Sequence, residues 1–181
     1  MTQEQLKEEM LNALEEQKDE GWFFVQEEIF EEYAEKGCVE AMYRLGKLYY
    51  DEGMEDHGLA WFTTASGHGH AEAFCKLGHI YSAGFPFGVK EDWEKAWSCY
   101  LKAAELGDAY ANYEIGVHYN QGWNIELDEK KAFEYFMKAA EMKLPDALNV
   151  LSYIYKKGNS VVEKDLEKAL EYAQMAYIEK E

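Results

Sequence analysis

The chain has 181 residues and a formal net charge of −18, with 36 acidic against 18 basic side chains. That balance argues against nucleic-acid binding through phosphate contacts and against attraction to an anionic membrane surface, both of which need a basic footprint. No apolar run approaches the roughly 18 residues that would span a bilayer.

In chain order, Thr2 and Gln5 fit a capping box. Leu6, Met10, Leu11 and Leu14 follow as one helical face, broken at Gly21, and a second helix is expected over Phe23 to Lys36. Residues 1–40 hold 13 acidic and 3 basic side chains, a local charge of −10. A solenoid end needs a polar outer surface. Residues 1–37 are therefore read as a degenerate N-terminal capping pair, with a regulatory acidic tail as the alternative.

From there one unit returns four times. An Ala, a Leu-Gly pair, a Tyr and a Gly fall at Ala41, Leu45-Gly46, Tyr49 and Gly53, then at Ala73, Leu77-Gly78, Tyr81 and Gly84. They return at Ala111, Ile115-Gly116, Tyr119 and Gly122, and as Ala147, Leu151-Ser152, Tyr155 and Gly158. A second helix carries Asp92, Lys95-Ala96, Tyr100 and Ala103-Ala104, then Asp128, Lys131-Ala132, Phe136 and Ala139-Ala140, then Asp165, Lys168-Ala169, Ala173 and Ala176. Ala, Leu and Tyr at i, i+4 and i+8 form a packing stripe. A mid-helix glycine costs about 1 kcal/mol relative to alanine, so Gly46, Gly78 and Gly116 imply close approach of a partner helix. Asp92, Asp128 and Asp165 are expected to cap the second helices. The expected helices are 38–52 and 57–68, 71–83 and 92–106, 109–121 and 129–142, 145–157 and 165–179, with Pro145 in a first turn.

This pattern resembles the Sel1-like repeat, a branch of the tetratricopeptide superfamily. The carriers are the Ala–Leu-Gly–Tyr–Gly helix, the variable loop ending in Asp-x-x-Lys-Ala, and the Ala-Ala before a closing Gly. The first copy departs at Thr64-Ala65-Ser66, the third at Lys143 and the fourth at Ser152. The resemblance implies an all-α fold, a right-handed superhelical solenoid of antiparallel helix pairs with about ten helices. Its repeats would cover about 38–70, 71–108, 109–144 and 145–181, forming one domain with the capping pair.

No nucleotide-binding, zinc-protease or serine-hydrolase motif is present, so no catalytic residue, cofactor or metal is expected. His68, His70 and His79 are a candidate metal set; the preferred reading is a turn with His70 near a helix start. Glu114 and His118, at i and i+4, are read as a surface hydrogen bond rather than a metal or proton site. Cys38, Cys75 and Cys99 lack C-x-x-C spacing and are read as free thiols. Phe85-Pro86-Phe87 with Trp93 is read as a hydrophobic plug, with a partner contact as the alternative.

The implied function is a protein–protein interaction module that holds a protein or peptide segment in a groove. The alternatives are a self-assembling structural protein and a hydrolase like the family's cysteine-rich branch. In related units the first helix of each pair lines the groove. Its positions, counted from each repeat's Ala, are the residue one before and those two, six, nine and ten after. They give Glu40, Tyr43, Lys47, Tyr50 and Asp51; Glu72, Cys75, His79 and Ser82; Tyr110, Tyr113, Val117, Asn120 and Gln121; and Asp146, Asn149, Tyr153 and Lys156. A basic partner is compatible with the charge. The uncapped last helix leaves monomer and weak dimer both open, and a cytoplasmic location is the default for an N-terminus without a basic start and an apolar core.

Overall fold

The computed structural model describes residues 1–16, 22–84 and 90–179, and the side chains of Trp22 and Phe23 are not described. The break at Gly21 and the Phe85-Pro86-Phe87 plug lie outside these residues. Among the described residues there are ten α-helices and no strand: α1 (Gln3–Glu16), α2 (Trp22–Glu35), α3 (Val39–Asp51), α4 (Glu55–Gly67), α5 (Ala71–Ala83), α6 (Trp93–Glu105), α7 (Ala109–Gln121), α8 (Glu129–Glu141), α9 (Pro145–Lys157) and α10 (Leu166–Ile178). The chain divides into two compact units, Met1–Asp92 and Trp93–Glu181.

Two backbone devices recur. Where a second helix hands over to the next first helix, one residue takes a left-handed conformation: Gly37, Gly69, Gly107 and, at φ 63°, Lys143. The following N–H then donates five residues back, from Cys38 to Tyr33, His70 to Ala65, Asp108 to Ala103 and Leu144 to Ala139. This is the Schellman closure, which satisfies carbonyls left over at a helix end. The other device spans the variable loop. The repeat Tyr lends its carbonyl to a backbone N–H just before the second helix: Met54 to Tyr49, Asp92 to Tyr81, Asp128 to Tyr119 and Asp165 to Tyr155, at 2.8 to 3.0 Å. Loop length thus varies while the clasp stays fixed.

In the first unit, Thr2 and Gln5 form the reciprocal capping box, Thr2 N–H donating to Gln5 Oε1 and Gln5 N–H to Thr2 Oγ1. Gln3 pins α1 to the α2–α3 turn, its Nε2 donating to the Gly37 carbonyl and its Oε1 accepting from Val39 N–H. Leu6, Met10 and Leu14 are buried, as are Ile29, Phe30, Leu45 and Phe62. A Cβ on Gly46 would stand 2.7 Å from Phe62 Cδ1, so α3 and α4 approach as closely as the glycine permits. Tyr49 donates to Glu27 on α2 at 2.7 Å.

In the second unit the same lock recurs between α7 and α8, where a Cβ on Gly116 would stand 2.8 Å from Phe136. Between α9 and α10 the aligned positions hold Ser152 and an exposed Ala173, and Ser152 Oγ donates to the Ala169 carbonyl at 2.7 Å. Asp128 caps α8 by accepting from Lys131 N–H, and Asp165 caps α10 by accepting from Glu167 and Lys168 N–H. Asp108 caps α7 in the same way, accepting from Ala111 N–H at 2.5 Å. The repeat tyrosines fill junctions: Tyr119 lies edge-on to Trp97 of α6 and stacked on Tyr135 of α8. Tyr155 meets Phe133 of α8 and stacks on Tyr172 of α10. The packing stripe therefore serves the preceding pair as well as the helix's own partner.

Candidate protein-binding face

On α3 the candidate positions split. Lys47, Tyr50 and Asp51 are exposed, but Tyr43 is buried. Its ring lies 4.4 Å from the stacked His70 imidazole and 5.8 Å from Phe62. Glu40 is half-buried and already engaged: Arg44 Nε donates to it at 2.6 Å, Lys7 Nζ stands at 3.5 Å and His70 Nε2 at 3.5 Å. Hydrogen bonding to His70, then to Arg44, holds its carboxyl well below the usual range, at about 2, against the opposing effect of burial. His70 meanwhile caps α5, its Nδ1 accepting from Ala73 N–H. Glu40, Tyr43 and His70 thus tie α1, α3 and α5 together and are not offered to a partner.

On α5, Glu72 is exposed and His79 and Ser82 are half-buried, whereas Cys75 is buried, its Sγ 3.8 Å from His79 Nε2. Tyr43 and Cys75 therefore leave the groove set, because both are buried, Tyr43 beneath the His70 ring that helical periodicity does not report. The three cysteines are free thiols, Cys38 and Cys75 buried and Cys99 half-buried. No group of three or more His, Cys, Asp or Glu side chains gathers among the described residues in a way that would hold a metal. His68 is exposed on the α4–α5 turn, apart from the capping role of His70.

On α7 and α9 the candidate side chains reach solvent as a set. Tyr110, Asn120, Gln121, Asp146, Asn149, Tyr153 and Lys156 are exposed, and Tyr113 and Val117 are half-buried. Tyr153 is 63% exposed, high for a tyrosine that closes no core. Tyr110 and Tyr113 lie 5.7 Å apart, and Tyr113 also rests against Phe136. Burial, then the nearby Asp146 carboxylate, raises the Tyr113 phenol. The structure thus brings Tyr110, Tyr113 and Asp146 together on one side of α7 and α9. With a single Asp and a single Lys among these positions, the patch is dominated by rings and amides.

His118 corrects the surface reading. It is buried among Trp93 at 4.4 Å, Tyr100 at 5.9 Å, Trp123 at 6.1 Å and Trp97 at 6.2 Å. Burial lowers its pKa, opposed by a hydrogen bond with the Trp123 backbone, and its Nδ1 has no hydrogen-bond partner among the described residues. Burial also raises the Glu114 carboxyl. The sequence signal for this aromatic box was Trp93 and Trp97 at i and i+4 on one helix face.

Helix pairs joined by repeated Schellman turns and loop clasps define a protein of the α/α helical-repeat class. A family model described as the Sel1 repeat matches residues 39–70, 71–108, 109–144 and 145–178. The chain belongs to the Sel1 repeat family. It is similar to the crystal structure of a Sel1 repeat protein from Oxalobacter formigenes, with a TM-score of 0.82 and 25% identity over 99% of this chain and 74% of that one. Among curated relatives, the chitin synthase regulator SKT5 of Saccharomyces cerevisiae is 29% identical over 76% of this chain and 20% of its own length. The ERAD-associated E3 ubiquitin-protein ligase component HRD3B of Arabidopsis thaliana is 34% identical over 58% of this chain and 17% of its own length. The chain thus spans about a fifth of the length of these two relatives. No helix among the described residues is long and apolar enough to cross a membrane.

Proposed function

We propose that this chain is a protein-binding adaptor, and that the exposed side of α7 and α9 holds a segment of another protein. The observation that carries this reading is the set of exposed tyrosines and amides there, with Tyr153 63% exposed. Tyrosines supply rigid contact area at low entropic cost and are enriched at protein interfaces. Asn120, Gln121 and Asn149 bring donors and acceptors that match the backbone of an extended segment. The relatives named above are a regulator and a ligase component, roles exercised through other proteins, which supports an adaptor over an enzyme. The net charge of −18 favours a basic partner through long-range steering. Residues 1–37 act in this reading as the polar cap of the repeat array. Three free thiols fit a reducing, cytoplasmic location.

The test is capture of protein partners by the folded chain and by the double variant Tyr153→Ala with Asn149→Ala. Both side chains are exposed, so helicity is expected to stay unchanged while capture falls at least tenfold. Tyr113→Ala is the poorer probe, because Tyr113 packs on Phe136. Full retention by the folded double variant rejects the α7–α9 face.

A further inference from the structure

Asp146 is the one aspartate of the second unit that caps no helix. Asp108, Asp128 and Asp165 each accept from a backbone N–H at a helix start. α9 opens instead on Leu144, and Asp146 in its first turn forms no hydrogen bond or ion pair among the described residues. It is exposed, and its carboxylate acts, after burial, to raise the Tyr113 phenol of α7. Lysines of this unit divide too. Lys102, Lys131 and Lys143 pair with carboxylates, and Lys138 and Lys168 lie over tyrosine rings. Lys156 and Lys157, exposed in the last turn of α9, do neither among the described residues. Positions 146, 149, 153 and 156 fall at i, i+3, i+7 and i+10, the spacing of one helix face. That face runs from a carboxylate, across Asn149 and Tyr153, to an ammonium group about 15 Å further along the axis.

We infer that this face reads a charge-polarised extended segment, one lysine or arginine set against Asp146 and the Tyr113 ring, and one aspartate or glutamate set against Lys156 and Lys157. The inference rests on the α7–α9 reading and adds to it the charge pattern and spacing of the bound chain. Charge complementarity selects this occupant, because each end of the face holds a charge that no neighbour compensates while the exposed groups between them are neutral. A cation at the Asp146 end meets a carboxylate and an aromatic ring together, a setting that suits guanidinium and ammonium groups. At about 3.3 Å per residue, an extended chain covers about 15 Å in four or five residues, whereas a helical segment needs about ten. The dipole of α9 also favours an acid at its start and bases at its end. A dipole confers no residue preference on a bound peptide, so the two roles are separable.

The test is selection on the full chain from random peptides of about 12 residues displayed on phage, long enough to cover the face when extended, followed by affinity measurements with the recovered peptides made synthetically. The expected result is a shared basic residue with an acidic one about four or five positions away. Replacing the peptide's basic residue by Gln is expected to weaken binding about fivefold or more to the wild type and less than about twofold to Asp146→Asn, a coupling that loss of fold does not produce. The peptide's acidic residue is expected to couple in the same way to Lys156→Gln with Lys157→Gln. Recovered peptides without the charged pair overturn the inference, as does a basic residue whose replacement costs as much on Asp146→Asn as on the wild type. A pair about ten positions apart overturns the extended form. These outcomes leave the α7–α9 face standing where the same peptides lose affinity for Tyr153→Ala with Asn149→Ala. Peptides that keep full affinity for that folded variant, or a selection that recovers none, overturn the face and the inference together.

Discussion

The third and fourth helix pairs solve the same packing problem with opposite materials. Between α7 and α8, Gly116 makes room for the ring of Phe136, which is 1% exposed. Between α9 and α10, Ser152 stands in the glycine's place and donates to the Ala169 carbonyl, while Ala173, at the sequence position of the ring, is exposed. The fourth pair lacks the ring's dispersion contact and has a side-chain tie to a backbone carbonyl instead. The fourth copy therefore departs from the repeat pattern at two aligned positions, Ser152 and Ala173.

The largest effect expected from this comparison is on Gly116. Gly116→Leu drives a side chain into Phe136 and the Ala132 carbonyl, which has no room to retreat, and should cost about 3 kcal/mol in a denaturant titration. Transplanting the fourth pair's solution sharpens the point. Gly116→Ser and Phe136→Ala are each destabilising alone, the latter by about 3–5 kcal/mol, but the double variant should lose less than their sum, a coupling a double-mutant cycle reads directly. Strict additivity would separate the two positions.

Next in size is Glu40. Its carboxyl is held at about 2 in the folded chain against an ordinary 4.5. A depressed carboxylate contributes stability that is complete above the unfolded value and lost as pH falls towards the folded one. The wild type should thus lose about 2–3 kcal/mol of stability between pH 4.5 and pH 2 that Glu40→Gln does not lose. Urea titrations of both proteins across that window check it. His118 follows the same sign. Burial lowers its folded pKa below 6.5, so the wild type weakens as pH falls below 6.5 and His118→Phe removes that step.

Smaller effects belong to the fourth pair and the turn before it. Ser152→Ala gives up the bond to Ala169 and should cost about 1 kcal/mol. Lys143→Gly should stabilise by about 1 kcal/mol, because Lys143 sits at φ 63° where its three counterparts are glycines. The Lys143–Glu179 ion pair it sacrifices is largely exposed on the lysine side and contributes little. Melting temperatures of the two single variants should move in opposite directions.

The repeat made most of this architecture legible before any coordinates. Gly116 announces a close helix approach, Asp128 and Asp165 announce caps, and all helix bounds agree within about two residues, the usual ambiguity of helix ends. What stayed hidden depends on neighbours far away in sequence. Tyr43 has the periodicity of an exposed position and is covered by His70 from the next helix's start. His118 looks like a surface partner of Glu114 until Trp93 and Trp97 close over it. Asp108 went unread as a cap because it directly follows the closing Gly107, where the pattern draws attention to the helix that ends rather than the one that begins. Spacing along one helix defines which positions share a face, and only packing defines which faces remain open.

That distinction makes the open face of α7 and α9 the central claim. The direct measurement is photo-crosslinking with a reactive amino acid placed at position 153 on α9, with position 134 on the exposed side of α8 as the control. The account predicts adducts with another protein at position 153 and none at position 134. Adducts at position 134 with none at position 153 would contradict it.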